Sequence, residues 1–331
     1  MRSHKDQRGA ALLIVLVLAA TLSALALALT QSMDRAVKKA MAASARDRAV
    51  WALLGAEQGA LSILERQAAA RTDVDTPSEP WLSQPRRLPI DDGLLTVRFI
   101  DRSACLNVND LVDETSNEEL VTDEIAIEGF SQFFAEIGGS EIEGARLATV
   151  VADFIDEDGR VGQGGAEDYA YTSGPAPRLT AGRTLVEVSE LRGLPGWTGP
   201  VYRAVAPYLC VVPGLTTPNP INLNTIRPED AILLRVALGF SVAEPTLERL
   251  IEARPPDGFD TVDAFLSQPA IGNSETLPPG IETNLATYAT YIEFSAQVVY
   301  GEREFRLSSF IVGQEGGSYR VVARRFGEPD L

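Results

Sequence analysis

The sequence predicts an α+β fold in which a long amino-terminal helix packs on an antiparallel sheet, and a large all-α insertion of two units interrupts that sheet. Three observations predict it. Residues 10–71 contain no proline and are rich in helix-forming residues. Segments that alternate apolar and polar residues, the period of a half-buried strand, occur before and after a long central stretch. Within that central stretch, residues 105–205 and 219–287 carry helical patterns instead.

The amino-terminal helix starts with a segment long enough to cross a membrane. Residues 10–29 are apolar apart from Thr21 and Ser23, and about twenty helical residues span the roughly 30 Å of a bilayer core. Residues 1–9 carry three basic groups and one acidic group, and a basic flank stays on the cytoplasmic side. We therefore expect one membrane span, with the amino terminus in the cytoplasm and the remaining chain on the other side.

The second half of this helix is amphipathic up to residue 71. Its larger apolar side chains are expected to form one face that packs on the sheet: Val37, Met41, Trp51, Leu54, Leu61 and Leu64. Continuity between the two halves favours a retained helix over a discarded signal peptide. The alternative is a cleaved export signal, because residues 26–28 read Ala-Leu-Ala, a small-residue pattern that permits cleavage after Ala28.

Three segments are predicted to form the sheet, namely residues 88–104, 206–218 and 288–331. The first contains the alternating stretch LLTVRFIDR, and the second contains the short apolar run YLCVV. The last contains three strands with short glycine-bearing turns, which predicts an antiparallel meander. The Pro-, Asp- and Thr-rich residues 72–93 are expected to form a loop.

The insertion is predicted to be a divergent internal duplication. Residues 105–205 open with CLNVNDL, and residues 219–287 open near INLNTI. Each block also holds a phrase similar to Leu-x-x-Leu-Pro-Gly, LRGLPGW in the first and, more loosely, FLSQPAIG in the second. The repetition indicates two related small helical units.

Such phrases resemble helix-hairpin-helix modules, which bind DNA through backbone amides and nearby basic residues. The charge opposes that function, because affinity for nucleic acid comes largely from Lys and Arg that neutralise phosphates. The net charge is −17, and residues 101–170 hold 18 acidic residues against Arg102, Arg146 and Arg160. We therefore expect no nucleic-acid partner, and we expect the units to serve packing and protein contacts.

The inventory of reactive side chains is narrow. The only histidine is His4, ahead of the apolar segment, which removes Ser-His-Asp and Cys-His catalysis and histidine-containing zinc sites from the remaining chain. Paired carboxylates also serve glycosidases, but three tryptophans in the whole chain offer no aromatic sugar cleft. We expect no enzymatic activity.

The most pointed chemical feature is an acidic stretch at residues 151–174. Asp156 and Asp158 precede Gly159 in a pattern that resembles the middle of an EF-hand loop, although both ends of that motif fail. We expect an irregular calcium loop that Glu167 or Asp168 closes, with glycines that let the chain fold back. The alternative is a solvated acidic helix end.

The two cysteines, Cys105 and Cys210, complete the inventory. An even count in an exported chain favours a disulfide, and two buried thiols are the alternative.

The amino-terminal pattern resembles a type IV prepilin-like protein, in which a short basic leader ends in glycine before an apolar helix. The resemblance implies cleavage between Gly9 and Ala10 by a prepilin peptidase, methylation of the new amine, and retention of the helix. Most such proteins carry glutamate at the fifth mature position, where this chain has Ile14. That glutamate neutralises the amine of a neighbouring subunit, so its absence suits a subunit at the filament tip.

The chain as a whole resembles the type II secretion system protein K family of minor pseudopilins. The residues that carry the resemblance are the Gly9–Ala10 leader without glutamate at Ile14 and the phrases CLNVN, DFIDEDG with GGAED, VSELRGLPG and INLNT. The resemblance implies a pseudopilin fold with two SAM-like units and calcium in the head.

The same resemblance implies a location and partners. The chain is expected in the bacterial inner membrane with its large head in the periplasm. It is expected to cap a pseudopilus with the minor pseudopilins of I, J and H types, to contact the major pseudopilin through them, and so to limit filament length. Two rivals remain open: a tip minor pilin of a type IV pilus, and a Sec-exported soluble protein-binding module.

Overall fold

The structure is a computed structural model. It describes residues 6–70, 75, 80–91, 93–173, 177–214, 216–272, 277–300, 303–313 and 317–327.

Ten α-helices form in the described residues. They are α1 (Asp6–Ala70), α2 (Pro80–Ser83), α3 (Glu124–Glu136), α4 (Glu141–Ile155), α5 (Asp168–Thr172), α6 (Gly199–Val205), α7 (Ala231–Ala237), α8 (Glu244–Glu252), α9 (Val262–Leu266) and α10 (Pro269–Gly272). Short 3₁₀ turns lie at Val108–Leu111, Val188–Gly193, Ala206–Tyr208, Pro228–Asp230 and Ile281–Asn284.

Eleven β-strands are present in the same residues. They are β1 (Arg86–Ile90), β2 (Gly93–Asp101), β3 (Leu106–Asn107), β4 (Val112–Glu114), β5 (Leu120–Thr122), β6 (Leu209–Cys210), β7 (Ile221–Asn222), β8 (Leu285–Ala286), β9 (Tyr291–Tyr300), β10 (Arg303–Gly313) and β11 (Tyr319–Phe326).

The long helix packs on a five-stranded antiparallel sheet of order β1-β2-β9-β10-β11. The predicted meander of β9, β10 and β11 is confirmed. Strand β1 lies in the stretch that was expected to be a loop. Its residues are mostly exposed, and an edge strand tolerates Pro89 because one side of its backbone needs no partner.

One segment that was predicted to join the sheet does not. Among the described residues of 206–218, Leu209–Cys210 is the single strand, and it pairs in parallel with Leu106–Asn107 outside the five-stranded sheet. A short apolar run shows that a segment is buried but does not show which partner buries it.

The face of α1 that packs on the sheet follows the expectation in part. Leu54, Leu61 and Leu64 pack in the core that α1 shares with the sheet, as predicted. Its buried residues recur at the helical period and are Ala49, Leu53, Glu57, Ala60 and Leu64. Trp51 instead remains 75% exposed, as do Val37 and Met41 to lesser degrees. The small alanines let the helix lie close to the sheet, whereas the largest apolar side chain points away from it.

A buried carboxylate fixes how α1 docks. Glu57 accepts two hydrogen bonds from the guanidinium of Arg324, at 2.7 and 2.8 Å, and one from the Ser309 hydroxyl at 2.5 Å. Such a paired and hydrogen-bonded charge specifies one register of the helix on strands β10 and β11, because any slip leaves the buried carboxylate unpaired.

The insertion leaves and re-enters the sheet at one end. Asp101, the last residue of β2, pairs with Ile292 near the start of β9. Contacts with α1 orient this end relative to the helix. The Arg48 guanidinium, on the part of α1 nearer its apolar segment, lies over the Tyr300 ring at the opposite end of β9. At the insertion end of the sheet, where Gly317 precedes β11, a Cβ placed on Gly317 would lie 3.4 Å from the Cβ of Ala68, near the end of α1. The insertion therefore lies at the end of the sheet away from the apolar part of α1.

The two helical units share one backbone framework. In each unit, a two-residue strand near its start pairs in parallel with a two-residue strand near its end. Leu106 pairs with Leu209 in the first unit, and Ile221 pairs with Leu285 in the second. The repeated phrases CLNVN and INLNT supply the first strand of each pair.

A buried asparagine closes each unit in the same way. The Asn109 side chain donates to the carbonyls of Leu185 and Val212 and accepts from the amide of Leu185. The Asn224 side chain donates to the carbonyls of Phe259 and Thr287 and accepts from the amide of Phe259. Asparagine suits this position because its amide offers both a donor and an acceptor to buried backbone groups.

Candidate functional site

The acidic stretch folds into a loop between α4 and α5. Helix α4 ends at Ile155, and α5 begins at Asp168. Oxygen atoms from Asp156, Asp158 and Glu167 lie within 4.8 Å of one another. The structure thus brings together three of the four carboxylates that the sequence singled out.

Two of these carboxylates are buried and only partly satisfied. Asp156 is 4% exposed and Glu167 is 6% exposed. Asp156 Oδ1 and Glu167 Oε1 have no hydrogen-bond partner among the described residues, although Thr122 Oγ1 donates to Asp156 Oδ2 at 3.1 Å. Burial raises the pKa of Asp156 to about 7, and the charges of Asp158 and Glu167 add to that effect. A buried oxygen without a donor is costly, and this pair points toward a bound positive charge.

Asp168 lies outside this cluster. Its Oδ1 accepts hydrogen bonds from the amide and the hydroxyl of Thr180, each at 2.9 Å. Of the two candidates, Glu167 is the one that lies beside Asp156 and Asp158, whereas the Asp168 side chain holds the following segment in place.

A third buried acid, Asp153, supports the loop from the α4 side. The Gly162 amide donates to both of its carboxylate oxygens at 3.2 Å. A Cβ at Gly165 would lie 1.9 Å from Asp153 Oδ2, and a Cβ at Gly162 would lie 2.3 Å from Thr149 Cγ2. Glycine is therefore required at both positions for the chain to fold back over α4, as the sequence predicted.

The donor set fits a hard cation. All three clustered ligand atoms are carboxylate oxygens, which Ca²⁺ prefers. Two oxygens bound to one Ca²⁺ at 2.3–2.6 Å lie at most about 5 Å apart, and the observed separations fall within that limit.

Sequence reasoning missed two supporting residues. Thr122 comes from β5, far from the loop along the chain, and the sequence carried no signal for its contact with Asp156. Asp153 lies in the acidic stretch at residues 151–174, but the sequence did not single it out as the support beneath the loop. Its position in the last turns of an apolar helix face was the available signal, because an acid on a buried face needs a partner.

The two cysteines are joined in the structure. Cys105 and Cys210 form a disulfide with their Cα atoms 5.6 Å apart. The bond ties the start of the first helical unit to its end, beside the strand pair β3–β6.

The apolar part of α1 has no packing partner among the described residues. Among the residues that the structure describes, α1 is the single helix that is long and apolar enough to cross a membrane. Ile14 is 59% exposed, like the leucines and valines around it. The proposed cleavage position between Gly9 and Ala10 lies within the helical range, whereas residues 1–5 of the leader lie outside the described residues.

The long helix, the antiparallel sheet and the insertion at the far end of that sheet define a pseudopilin-like class of protein, and the apolar part of the helix fits a membrane anchor. Comparison with known proteins narrows the class. Residues 104–214 and 221–286 match the two family descriptions of type II secretion system (T2SS), protein K. The boundaries of these matches coincide with the two helical units.

Similarity to individual proteins extends over almost the whole chain. The chain is 29% identical to type II secretion system protein K of Klebsiella pneumoniae, over 97% of both chains. It is 30% identical to the protein of the same name from Pectobacterium carotovorum subsp. carotovorum, over 99% of this chain and 98% of the relative. It is 31% identical to the putative type II secretion system protein K of Escherichia coli strain K12, over 91% of both.

A solved structure agrees with these relatives. The fold is similar to a chain in the crystal structure of the GspK-GspI-GspJ complex from the enterotoxigenic Escherichia coli type 2 secretion system. The TM-score is 0.72 and the identity 25%, over 88% of this chain and all of that one. The chain belongs to the type II secretion system protein K family, whose members are minor pseudopilins. This assignment favours a secretion-system component over a type IV pilus subunit or a soluble exported module.

Proposed function

We propose that this chain is held in the bacterial inner membrane by the apolar part of α1, with its amino terminus in the cytoplasm and its head in the periplasm. A prepilin peptidase removes residues 1–9, and the new amine at Ala10 is methylated. The observation that supports retention is the continuity of α1, which runs unbroken from the apolar segment to the face that packs on the sheet. Cleavage after Ala28 would cut this helix in two.

Amino-terminal sequencing of the mature protein tests this proposal. A chain that starts at Ala10 supports it. A chain that starts at Leu29 contradicts it and restores the discarded-signal alternative. The matched variant Gly9→Val is expected to accumulate as the uncut precursor, because the leader must end in a residue that the peptidase accepts.

We further propose that the head caps the tip of a periplasmic pseudopilus and limits its length during export of folded proteins. The observation that carries this proposal is the position of the insertion. Both units lie at the end of the sheet away from the apolar helix, beyond Asp101 and Ile292. A subunit that enters a filament by its helix therefore presents its bulk forward. Ile14, in place of the usual glutamate, fits a subunit with no neighbour ahead of it.

The proposed partners are the minor pseudopilins of I, J and H types and, through them, the major pseudopilin. The solved relative assembles with GspI and GspJ, and the exposed face of α1, which includes Trp51 at 75% exposure, is available for partner helices.

Immunogold labelling of isolated pseudopili tests the cap. Antibodies against the insertion are expected to mark one end of each filament, while antibodies against the major pseudopilin mark the shaft. Label along the shaft would contradict the cap. Loss of the gene is expected to stop enzyme secretion and to leave surface pili intact, which distinguishes this function from that of a pilus subunit.

We also propose that the acidic loop binds Ca²⁺ through Asp156, Asp158 and Glu167. The ion would neutralise three crowded carboxylates and supply a partner for the two unsatisfied buried oxygens. Its role is then structural, since it fixes the loop between α4 and α5 and with it the surface of the first unit.

Thermal unfolding of the full chain in detergent tests calcium binding. Ca²⁺ at about a hundred times its Kd is expected to stabilise the fold by about 2.7 kcal/mol, seen as a rise in melting temperature over a chelator control. Asp156→Asn with Glu167→Gln is expected to remove the rise. Glu157→Gln, a neighbouring exposed acid outside the cluster, is expected to keep it. An unchanged melting temperature of the wild-type chain in Ca²⁺ would contradict calcium binding.

A further inference from the structure

A groove of about 380 Å³ lies between the two helical units. This volume is within the range of about 300–1,000 Å³ that is typical of ligand sites. One wall comes from the first unit, including the 3₁₀ turn at Val108–Leu111 and helix α3. The other wall comes from the end of α7 and from residues 277–284 in the second unit. The groove is separate from the acidic loop, none of whose residues lines it.

Apolar side chains form most of the groove lining, and its charged residues are acidic. Aliphatic and aromatic side chains form most of the surface, among them Ile125, Phe130 and Phe240. Ile125 is 82% exposed at the rim, an unusual place for so large an apolar side chain at the first turn of a helix. The described lining contains two acidic residues, Asp110 and Glu128, and no basic residue.

Asp110 is the charged group inside the groove. It is half-buried, and its carboxylate accepts no hydrogen bond and forms no ion pair within the described part of the chain. Burial raises its pKa to about 7, and the nearby charges of Asp123 and Asp113 act in the same direction. A half-buried carboxylate that lines the groove without a paired cation is stabilised by a cation that docks against it.

Gly129 widens the groove at a cost to the helix. It lies in the interior of α3, and a Cβ at this position would meet nothing within 4 Å. Glycine is less stable than alanine in a helix interior, and nothing in the local packing demands it here. The missing side chain leaves space against the wall of the groove.

We propose that this groove binds an extended segment of a protein partner in which a lysine or arginine is flanked by apolar side chains. The basic side chain pairs with Asp110. The apolar neighbours pack on Phe130, Phe240 and the exposed Ile125. Charge complementarity selects this occupant, because the groove offers carboxylates and apolar surface but no basic group for an acidic or phosphorylated ligand.

A second copy of the chain is a poorer occupant. The net charge of −17, to which residues 1–9 contribute positively, leaves the head strongly acidic. Two such heads repel each other at the distances over which a groove captures its ligand. The partner therefore differs from this chain and carries the basic residue.

A panel of labelled peptides tests the groove on the full chain in detergent micelles. The peptides are fluorescein-labelled heptapeptide amides of the form Gly-Ser-X-B-X-Ser-Gly, where X is Leu, Ile, Phe or Trp and B is Lys or Arg. Fluorescence anisotropy is expected to show micromolar binding for at least one member. Replacing its basic residue by norleucine is expected to weaken binding at least tenfold.

Three variants locate the site. Asp110→Asn is expected to weaken binding at least tenfold, and Gly129→Leu is expected to abolish it by filling the open space while retaining a stable helix. Asp257→Asn removes the same charge from an exposed position outside the groove and is expected to leave binding unchanged. Failure of the whole panel, or equal binding by wild type and the Asp110→Asn and Gly129→Leu variants with unchanged melting temperatures, overturns the proposal.

Discussion

The first and second helical units share a framework but not their chemistry. Both carry a pair of two-residue parallel strands and a buried asparagine that closes the unit. The first unit alone adds a disulfide and an acidic loop. Cys105 and Cys210 occupy the positions that Pro220 and Ala286 hold in the second unit, as the strand registers show.

The comparison distinguishes features that the framework needs in both units from features that only the first unit has. Hydrogen bonds to the buried asparagine are needed wherever the framework occurs, because the backbone groups they satisfy are buried in both copies. The disulfide and the acidic loop are tolerated additions in the longer connection of the first unit. We therefore expect equal sensitivity to asparagine loss and unequal sensitivity to reductant, pH and calcium.

The largest expected effect comes from the shared asparagines. Asn109→Ala leaves three buried backbone groups without a partner, at about 1–3 kcal/mol per group. Asn224→Ala leaves two, both on Phe259, because the Thr287 carbonyl also accepts from the Asp75 amide. Each is expected to lower the free energy of unfolding by about 5 kcal/mol in denaturant titrations followed by circular dichroism. Asn117→Ala, at an exposed turn, is the control. A large loss of stability from one substitution and none from the other would contradict the equivalence of the two asparagines.

The next effect belongs to the first unit alone. Replacing Cys105 and Cys210 together by alanine removes a cross-link between residues 105 positions apart, and disulfides typically contribute about 2–4 kcal/mol. Alanine already stands at the equivalent position 286 of the second unit, so packing loss is small. Hydrogen–deuterium exchange is expected to rise in residues 105–210 and not in residues 221–286. Faster exchange confined to residues 221–286 would falsify the assignment of the disulfide's effect to the first unit.

The smallest effect is a pH dependence of the acidic loop without calcium. The folded pKa of Asp156 is about 7, above its ordinary value of 3.8. The folded state therefore binds the proton more tightly, so stability is highest below about pH 4 and falls as pH rises to about 7. Asp156→Asn is expected to stabilise the calcium-free chain at pH 8 by about 1–2 kcal/mol, allowing for solvent screening.

The proposed calcium site predicts the opposite sign for that substitution when calcium is present. In saturating Ca²⁺ at pH 8, Asp156→Asn is expected to lower the melting temperature, because the variant loses a ligand. The second unit contains no clustered carboxylates of this kind in its described residues, so its exchange rates serve as the internal reference. Destabilisation by Asp156→Asn in a chelator contradicts the predicted repulsion in the loop.

Local sequence determined much of this protein. The apolar run at residues 10–29, its proline-free continuation and the alternating strands near the carboxyl end specify helix and meander by period alone. The repeated CLNVN and INLNT phrases predicted a duplication because each phrase carries the strand and the closing asparagine together. The glycines of the acidic loop likewise predicted that the chain folds back there.

Only the tertiary structure decided which partners these segments found. It paired Leu209–Cys210 with Leu106–Asn107 instead of the main sheet, and turned Trp51 outward in favour of the small Ala49 and Ala60. It also separated Asp168 from Asp156 and placed Asp110, which has no partner among the described residues, in a groove between two units. The reason is physical: period and composition report how much of a segment is buried, whereas the identity of its neighbour depends on contacts between residues far apart along the chain.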